Sequence, residues 1–192
     1  MLARARPRGH LLLADALLDG AHSPDAQRSI ICTQALAKIR LHDSARDYLR
    51  GVLESSEDAG LRWSALAALA ADGAIEDVPA AADAQLERDN SATGYYSSLR
   101  ARAAVATAEN KRAVWEEIVA GNLTNRELTS KLEGLLYPHG DARSWFAGNP
   151  GGVMLRGHRL GRVLLAGVLL RQPRSPASRG ARTAHSPHPR AP

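Results

Sequence analysis

The seven histidines of this chain, at positions 10, 22, 42, 139, 158, 185 and 188, are the residues from which a metal centre would have to be built. A hydrolytic zinc site on a helix needs two histidines four apart, so that both imidazoles leave one face. It also needs a glutamate as base and a distant third ligand. No pair of these histidines has that spacing. His185 and His188 are three apart, but Ser186, Pro187 and Pro189 around them exclude a helix. Serine chemistry has no better footing, because no G-x-S-x-G turn occurs. Glycine patterns for phosphate or dinucleotide binding are absent too. Carboxylates gather at Glu54, Glu57 and Asp58 and again at Glu116 and Glu117; both groups read as solvated joints or faces rather than acid/base pairs. Cys32 is the only cysteine, which excludes an internal disulfide and a cysteine-rich zinc site. Set between Ile31 and Thr33 on an apolar helix, it reads as a buried, inert thiol. The expected catalytic and metal-ligating sets of this chain are therefore both empty.

One polar stretch stands apart, Leu86 to Gly94, with Glu87, Arg88, Asp89, Asn90, Ser91 and Thr93 packed together. Leu86 reads as the last core-facing residue of one helix. Asp89, Asn90, Ser91 and Thr93 carry the side chains that cap and turn helix ends. Gly94 allows a close approach or a positive φ at the start of the next helix. On these grounds the stretch is a connector and not an active loop.

The elements that hold it are helices. Apolar residues make up 44% of the chain and aromatic residues only 4%, so the core must be built from Ala, Leu, Val and Ile. Ala and Leu are the strongest helix formers. A first helix spans about 10–20. A second follows Ser23-Pro24-Asp25, with Ser23 as cap and Pro24 at the first helical position, and turns Ile31 or Cys32, Ala35, Leu36 and Ile39 to one face. Ser44 with Asp47 suggests the cap of a third, on which Ala45, Tyr48, Leu49, Val52 and Leu53 keep helical register. Residues 61–73 are apolar nearly all round and predict a helix buried among neighbours, stopped by Gly73. Val78 to Arg88 follows, with Pro79 in its first turn and Val78, Ala82 and Leu86 on one face. Further on, Tyr96, Leu99, Ala103 and Ala106 keep the period. Val114, Trp115, Ile118 and Val119 lie on a helix ending at Gly121, and Thr124 with Glu127 forms a capping box before Leu128, Leu132, Leu135 and Leu136. Asn122-Leu123-Thr124 also matches a glycosylation acceptor, but Thr124 as a cap is the better use.

About eight short helices with joints of roughly two to six residues predict an all-α fold of antiparallel helix pairs. Stacked, such pairs make a solenoid of the armadillo or HEAT type or a helical bowl, although no strict sequence period is present. Strands are not expected. The organisation read from the sequence is a basic start without structure over 1–9, a helical domain over 10–147, and an Arg/Pro-rich tail over 148–192.

Charge divides the chain in the same place. All 20 acidic residues precede Pro150, while residues 151–192 hold eight arginines and no carboxylate. The net charge of +5 is thus a property of the tail, and the first 150 residues come to about −3. The tail is expected to be disordered. It reads either as a basic arm for nucleic acid or acidic surfaces, or as GC-rich DNA translated out of frame. No aromatic residue interleaves its arginines as a base-stacking surface would require, which favours the second, and nucleic acid is not an expected partner. Val163 to Leu170 is far too short for a membrane span. The Arg-rich start leads only to Leu11-Leu12-Leu13 before Asp15, so no signal peptide is expected. A membrane partner is not expected, and a cytoplasmic setting fits the single cysteine.

Three segments in order, "LRWSALAALAADG", "AQLERDNSATG" and "TAENKRAVWEEIV", carry a resemblance through Leu61, Arg62, Trp63, Leu86, Arg88, Asp89, Thr93, Gly94, Glu109, Lys111 and Trp115. Together they resemble the C-terminal helical domain of zinc aminopeptidases of the aminopeptidase N family, most of all actinobacterial members. The likeness covers about 20–137 and is best from 60 to 120. It implies a domain that leans over a catalytic domain and walls off a peptide chamber. In that family an H-E-x-x-H helix with a downstream Glu holds zinc, and a G-x-M-E-N segment grips the substrate's free amine. Neither motif is present here, so the chain resembles a fragment of such an enzyme, inactive alone and without zinc of its own.

The implied partners are the catalytic domain of an aminopeptidase and peptides, and the implied parent activity is removal of N-terminal amino acids from peptides. Arg62 and Arg88 are the candidate contacts for a peptide carboxylate, set against a purely structural use in which they cap helices or pair with Asp89 or Glu87. Trp63 and Trp115 are expected as core anchors. The alternative function is a free-standing helical-repeat module for protein–protein interaction.

Overall fold

The computed structural model describes residues 7–138. Among these are eight α-helices and no strand: α1 (Pro7–Ala21), α2 (Ala26–Leu36), α3 (Asp43–Ser55), α4 (Ala59–Asp72), α5 (Val78–Arg88), α6 (Ala92–Ala104), α7 (Ala108–Ala120) and α8 (Asn125–Leu135). The fold is all-α, and consecutive helices pack against each other as α1 on α2, α3 on α4, α5 on α6 and α7 on α8. The even-numbered helices also touch in sequence, α2 on α4, α4 on α6 and α6 on α8, so that α4 and α6 each have neighbours on several sides. Residues 1–6 and 139–192, including the Arg/Pro-rich tail, lie outside the described residues.

Local chemistry sets the helix ends. Asp58 opens α4 by accepting the Leu61 N–H at 3.0 Å, and Gly73 closes it in the left-handed region at φ 74°. There the Ala74 N–H reaches back to the Leu69 carbonyl at 2.9 Å, satisfying a carbonyl that the helix leaves free. Gly121, φ 76°, likewise ends α7 in the left-handed region. The Thr124–Glu127 capping box is present, with the Thr124 N–H donating to Glu127 Oε2 at 2.8 Å.

Several expectations are corrected. The first helix starts at Pro7, inside the start expected to lack structure, because proline is tolerated at a first helical position where no N–H is needed. The cap of α2 is Asp25, which accepts from Gln27 and Arg28, and Pro24 stays outside the helix. The cap of α3 is His42 rather than Ser44. Its Nδ1 accepts the Ala45 N–H at 3.3 Å, and Asp43 supplies the carboxylate that a first turn favours. Ile31 is 55% exposed, since Thr33 takes the inward position and shares a 2.8 Å hydrogen bond with the Tyr48 hydroxyl. Cys32 is half-buried rather than buried, packed against Gly20, where a Cβ would sit 2.4 Å from its Sγ. Ala106 lies beyond the end of α6 and is exposed, and Val119 is exposed on α7.

The main core forms around α4. Trp63, Leu66, Leu69 and the alanines at 65, 67, 68, 70 and 71 are all buried, together with Leu36, Leu49, Val78 and Ala82 from its neighbours. A helix buried all round must use small residues where other helices approach, and the alanines do this. The α6 helix extends the principle, with Gly94, Ser98, Ala101, Ala103 and Ala104 as its buried residues. Against it, α8 presents Gly134, where an added Cβ would lie 2.2 Å from the Arg100 carbonyl and 2.7 Å from the Ala103 Cβ. Gly134→Ala is therefore expected to force α6 and α8 apart at a cost of about 1–3 kcal/mol in urea unfolding, the usual range for overpacking. An unchanged midpoint would refute the close approach.

Candidate functional site

Two of the three segments that carry the resemblance, 61–73 and 84–94, meet each other, while the third, 107–119, packs on α6 and α8. The Trp63 indole N–H donates to Asp89 Oδ2 at 2.8 Å, tying α4 to the joint between α5 and α6. Asp89 in turn ends α5, its N–H donating to the Gln85 carbonyl. Hydrogen bonding from Ser91 and then from the Trp63 indole holds the Asp89 carboxyl below the usual carboxylate range. Ser91 caps α6 by accepting the Gly94 N–H at 3.0 Å. Gly94 serves close approach rather than a positive φ, because a Cβ there would stand 2.3 Å from the Asp89 carbonyl oxygen. The joint thus works as a connector.

Arg62 is 6% exposed. Its Nε donates to Gln85 Oε1 at 3.0 Å, and its Nη1 donates to the carbonyls of Ser56 at 2.8 Å and Glu57 at 3.1 Å. A side chain so placed ties the start of α4 to α5. Arg88 is exposed and donates from Nη1 to the Leu53 carbonyl near the end of α3 at 3.2 Å. Of the two candidate peptide contacts, only Arg88 stands at the surface, and the two are engaged with separate partners. Trp63 is 2% exposed and anchors the main core, while Trp115 is half-buried beside Val114, Ile118 and Leu135 in the smaller one.

Lys111 is 1% exposed. Its Nζ donates to four main-chain carbonyls: Ala103 at 3.1 Å, Ala104 at 3.2 Å, Gly134 at 3.4 Å and Leu135 at 3.2 Å. These are the last carbonyls of α6 and α8, the groups a helix cannot satisfy for itself. One ammonium therefore caps two helix C-termini, where the helix dipoles also favour a cation. Among the described residues no carboxylate is in hydrogen-bond or ion-pair contact with it.

Burial pushes the Lys111 ammonium down to about 8. The unfolded chain keeps that proton to about 10.5, so this contribution to stability is fully present above 10.5 and is lost as pH falls through 8. Tyr137, whose hydroxyl donates to the Ala37 carbonyl at 3.1 Å, has the opposite sign. Burial pushes its hydroxyl up to about 12, so its contribution is present below 10 and is lost as pH rises toward 12. The urea midpoint is expected to climb between pH 8 and 10, by up to about 1.4 kcal/mol per pH unit, and to fall beyond. Lys111→Met should flatten the rising limb and Tyr137→Phe the falling one. A profile that stays level from pH 8 to 12 in the parent chain would contradict both assignments.

Among the described residues no group of three His, Cys, Asp or Glu side chains could hold a metal ion.

What the described helices do offer is a shallow groove of about 230 Å³. It is lined by Thr93, Tyr96, Ser97 and Arg100 of α6 and Arg126, Thr129, Ser130 and Glu133 of α8. The Arg126 guanidinium lies over the Tyr96 ring, 4.8 Å from its centroid. Arg100 Nη1 stands 4.0 Å from Glu133 Oε2, and Arg100 Nε is buried without a hydrogen-bond partner. The sequence does not reveal this groove, because none of its residues forms a motif and the close approach of the two helices depends on Gly134 and Ala103, which mark no pattern. No helix among the described residues is long and apolar enough to cross a membrane. No family model matches this chain, and no curated protein matches it.

Proposed function

We propose that the helices are a non-catalytic domain of the aminopeptidase N type, which caps the active-site chamber of a zinc aminopeptidase and helps accommodate its peptides. The observation that carries this reading is the use made of the residues in the three segments. Arg62, Trp63, Asp89, Gly94 and Lys111 come from three separate segments, and each fixes one helix against another. Residues used in this way are the ones a shared fold would require, which supports a common architecture rather than a chance likeness of Ala-rich helices. The groove between α6 and α8 is the surface best equipped to meet a peptide, since it combines guanidinium, hydroxyl and aromatic groups.

This reading predicts that the full chain forms a stoichiometric complex with an actinobacterial zinc aminopeptidase from which the C-terminal helical domain has been removed. Sedimentation velocity on the mixture reads the result directly, and two independent boundaries at micromolar concentration would count against it. A second reading, a free-standing helical module that binds a protein partner, takes support from Leu12 and Leu13 on α1 and Ile30 and Ile31 on α2, all exposed. Aliphatic side chains in such number on two packed helices favour a covering partner. Absence of the enzyme complex together with a stable partner of another kind would select that reading.

A further inference from the structure

We propose that the groove between α6 and α8 is a carboxylate-binding site, built on Arg100 and Arg126 and presented with carboxylates by peptides. Two cations and one carboxylate line it, which leaves a positive balance. Arg100 is held by packing and not by acceptors. Its side chain is 29% exposed, its Nε is buried without a partner, and among the described residues its one ionic neighbour, Glu133, is 4.0 Å away. With its Nε buried, such a guanidinium can meet an incoming planar anion only end-on, through its two terminal nitrogens, a pair that two carboxylate oxygens match. Arg126 is oriented by the Tyr96 ring beneath it, a contact that places charge without consuming donors. The hydroxyls of Ser97 and Ser130 add neutral donors on the two walls.

Glu133 decides between anions. A carboxylate already in the groove repels a second charge, and it repels a dianionic phosphate more than a monoanion. The volume of about 230 Å³ is smaller than the ~300–1,000 Å³ of sites that enclose whole drug-sized ligands, so the groove takes an end group or one side chain. That peptides are the source of the carboxylate rests on the aminopeptidase reading; that the groove binds carboxylate does not.

The test uses the full chain, labelled with ¹⁵N and followed through its amide spectrum. The probes are an acetylated trialanine with a free C-terminal carboxylate, the same peptide as its C-terminal amide, an amidated acetyl-Ala-Glu-Ala, sodium acetate and inorganic phosphate. The free acid is expected to give saturable shifts at Ser97 and Ser130, and the amide to bind about tenfold more weakly, since the charge-assisted bonds are lost. Arg100→Gln should weaken the acid by about tenfold and Arg126→Gln by about threefold, while Arg112→Gln, which changes the same charge away from the groove, should leave it unchanged. If Arg100→Gln fails to fold, the exposed Arg126 still carries the comparison. Tight binding of the Glu-bearing amide would assign the source to side chains instead of the C-terminus. Acetate that saturates the groove as well as any peptide would uphold the site and defeat the peptide reading. Acid and amide binding alike, phosphate binding tighter than the acid, or shifts confined to other helices would overturn the proposal.

Discussion

Replacing Lys111 by alanine is expected to cost the fold about 3–5 kcal/mol, enough to consume much of the ~5–15 kcal/mol that keeps a domain of this kind folded. Two losses add. The long buried side chain leaves a cavity between α6, α7 and α8. The four carbonyls of Ala103, Ala104, Gly134 and Leu135 also lose the donor that caps them. Each buried acceptor left bare costs about 1–3 kcal/mol, although carbonyls that gain access to water recover part of it, and the Gly134 carbonyl keeps the Tyr137 N–H at 3.1 Å. Lys111→Met separates the two effects, since it keeps most of the volume and removes the donor. A buried ion can often be exchanged for a hydrophobe without loss when its partners are removed as well. Here the partners are main chain and stay, so methionine should still cost about 2–3 kcal/mol. Urea unfolding followed by circular dichroism measures both. A methionine variant as stable as the parent would show that the four hydrogen bonds contribute nothing.

Trp63→Ala is expected to be at least as damaging, at about 3–5 kcal/mol. The indole is 2% exposed in the core around α4, and it also reaches across to Asp89. Trp63→Phe isolates that bond. It keeps a ring in the core but takes one donor from the Asp89 carboxylate, so the pKa of Asp89 should move up toward the usual carboxylate range. Part of the stability that its depressed pKa supplies at neutral pH would then go as well. The shift can be read by following the Asp89 carboxyl carbon through an acid titration. A pKa that does not move would mean that Ser91, the larger influence, acts alone.

The parts of this fold legible in the sequence are those decided within a few residues. Gly73 and Gly121 sit where a left-handed residue must end a helix, and Thr124 with Glu127 forms its box from side chains three positions apart. The all-round apolar α4 and the register of α3 follow from composition and period alone. Legibility failed where tertiary contact overrides local preference. On α2 the polar Thr33 points inward because Tyr48 meets its hydroxyl, and that displaces Ile31 to the surface. His42 outcompetes Ser44 as a cap because the helix starts two residues earlier than a serine cap would set it. On α6 the inward face is glycine, serine and alanine, so no amphipathic stripe marks it.

Charge misleads most. Lys111 and Arg62 are charged and yet buried: Lys111 holds the ends of α6 and α8 through their carbonyls, and Arg62 bonds the carbonyls just ahead of α4 and Gln85 on α5. The same resemblance that drew attention to Arg62 as a peptide contact has its simplest physical basis in that structural use. The groove of Arg100 and Arg126 was invisible for a related reason. Its walls lie on two helices brought together by Gly134 and Ala103, and no spacing along the chain encodes that meeting.

The most direct test of the proposed function is kinetic. The full chain would be added to a zinc aminopeptidase catalytic fragment that lacks its own C-terminal helical domain, and hydrolysis would be followed on an aminoacyl amide and on a peptide of about eight residues. The expected result is that kcat/KM for the octapeptide rises severalfold, that the aminoacyl amide is cleaved at an unchanged rate, and that Arg100→Gln reduces the gain. Equal rates with and without the chain on both substrates would contradict it.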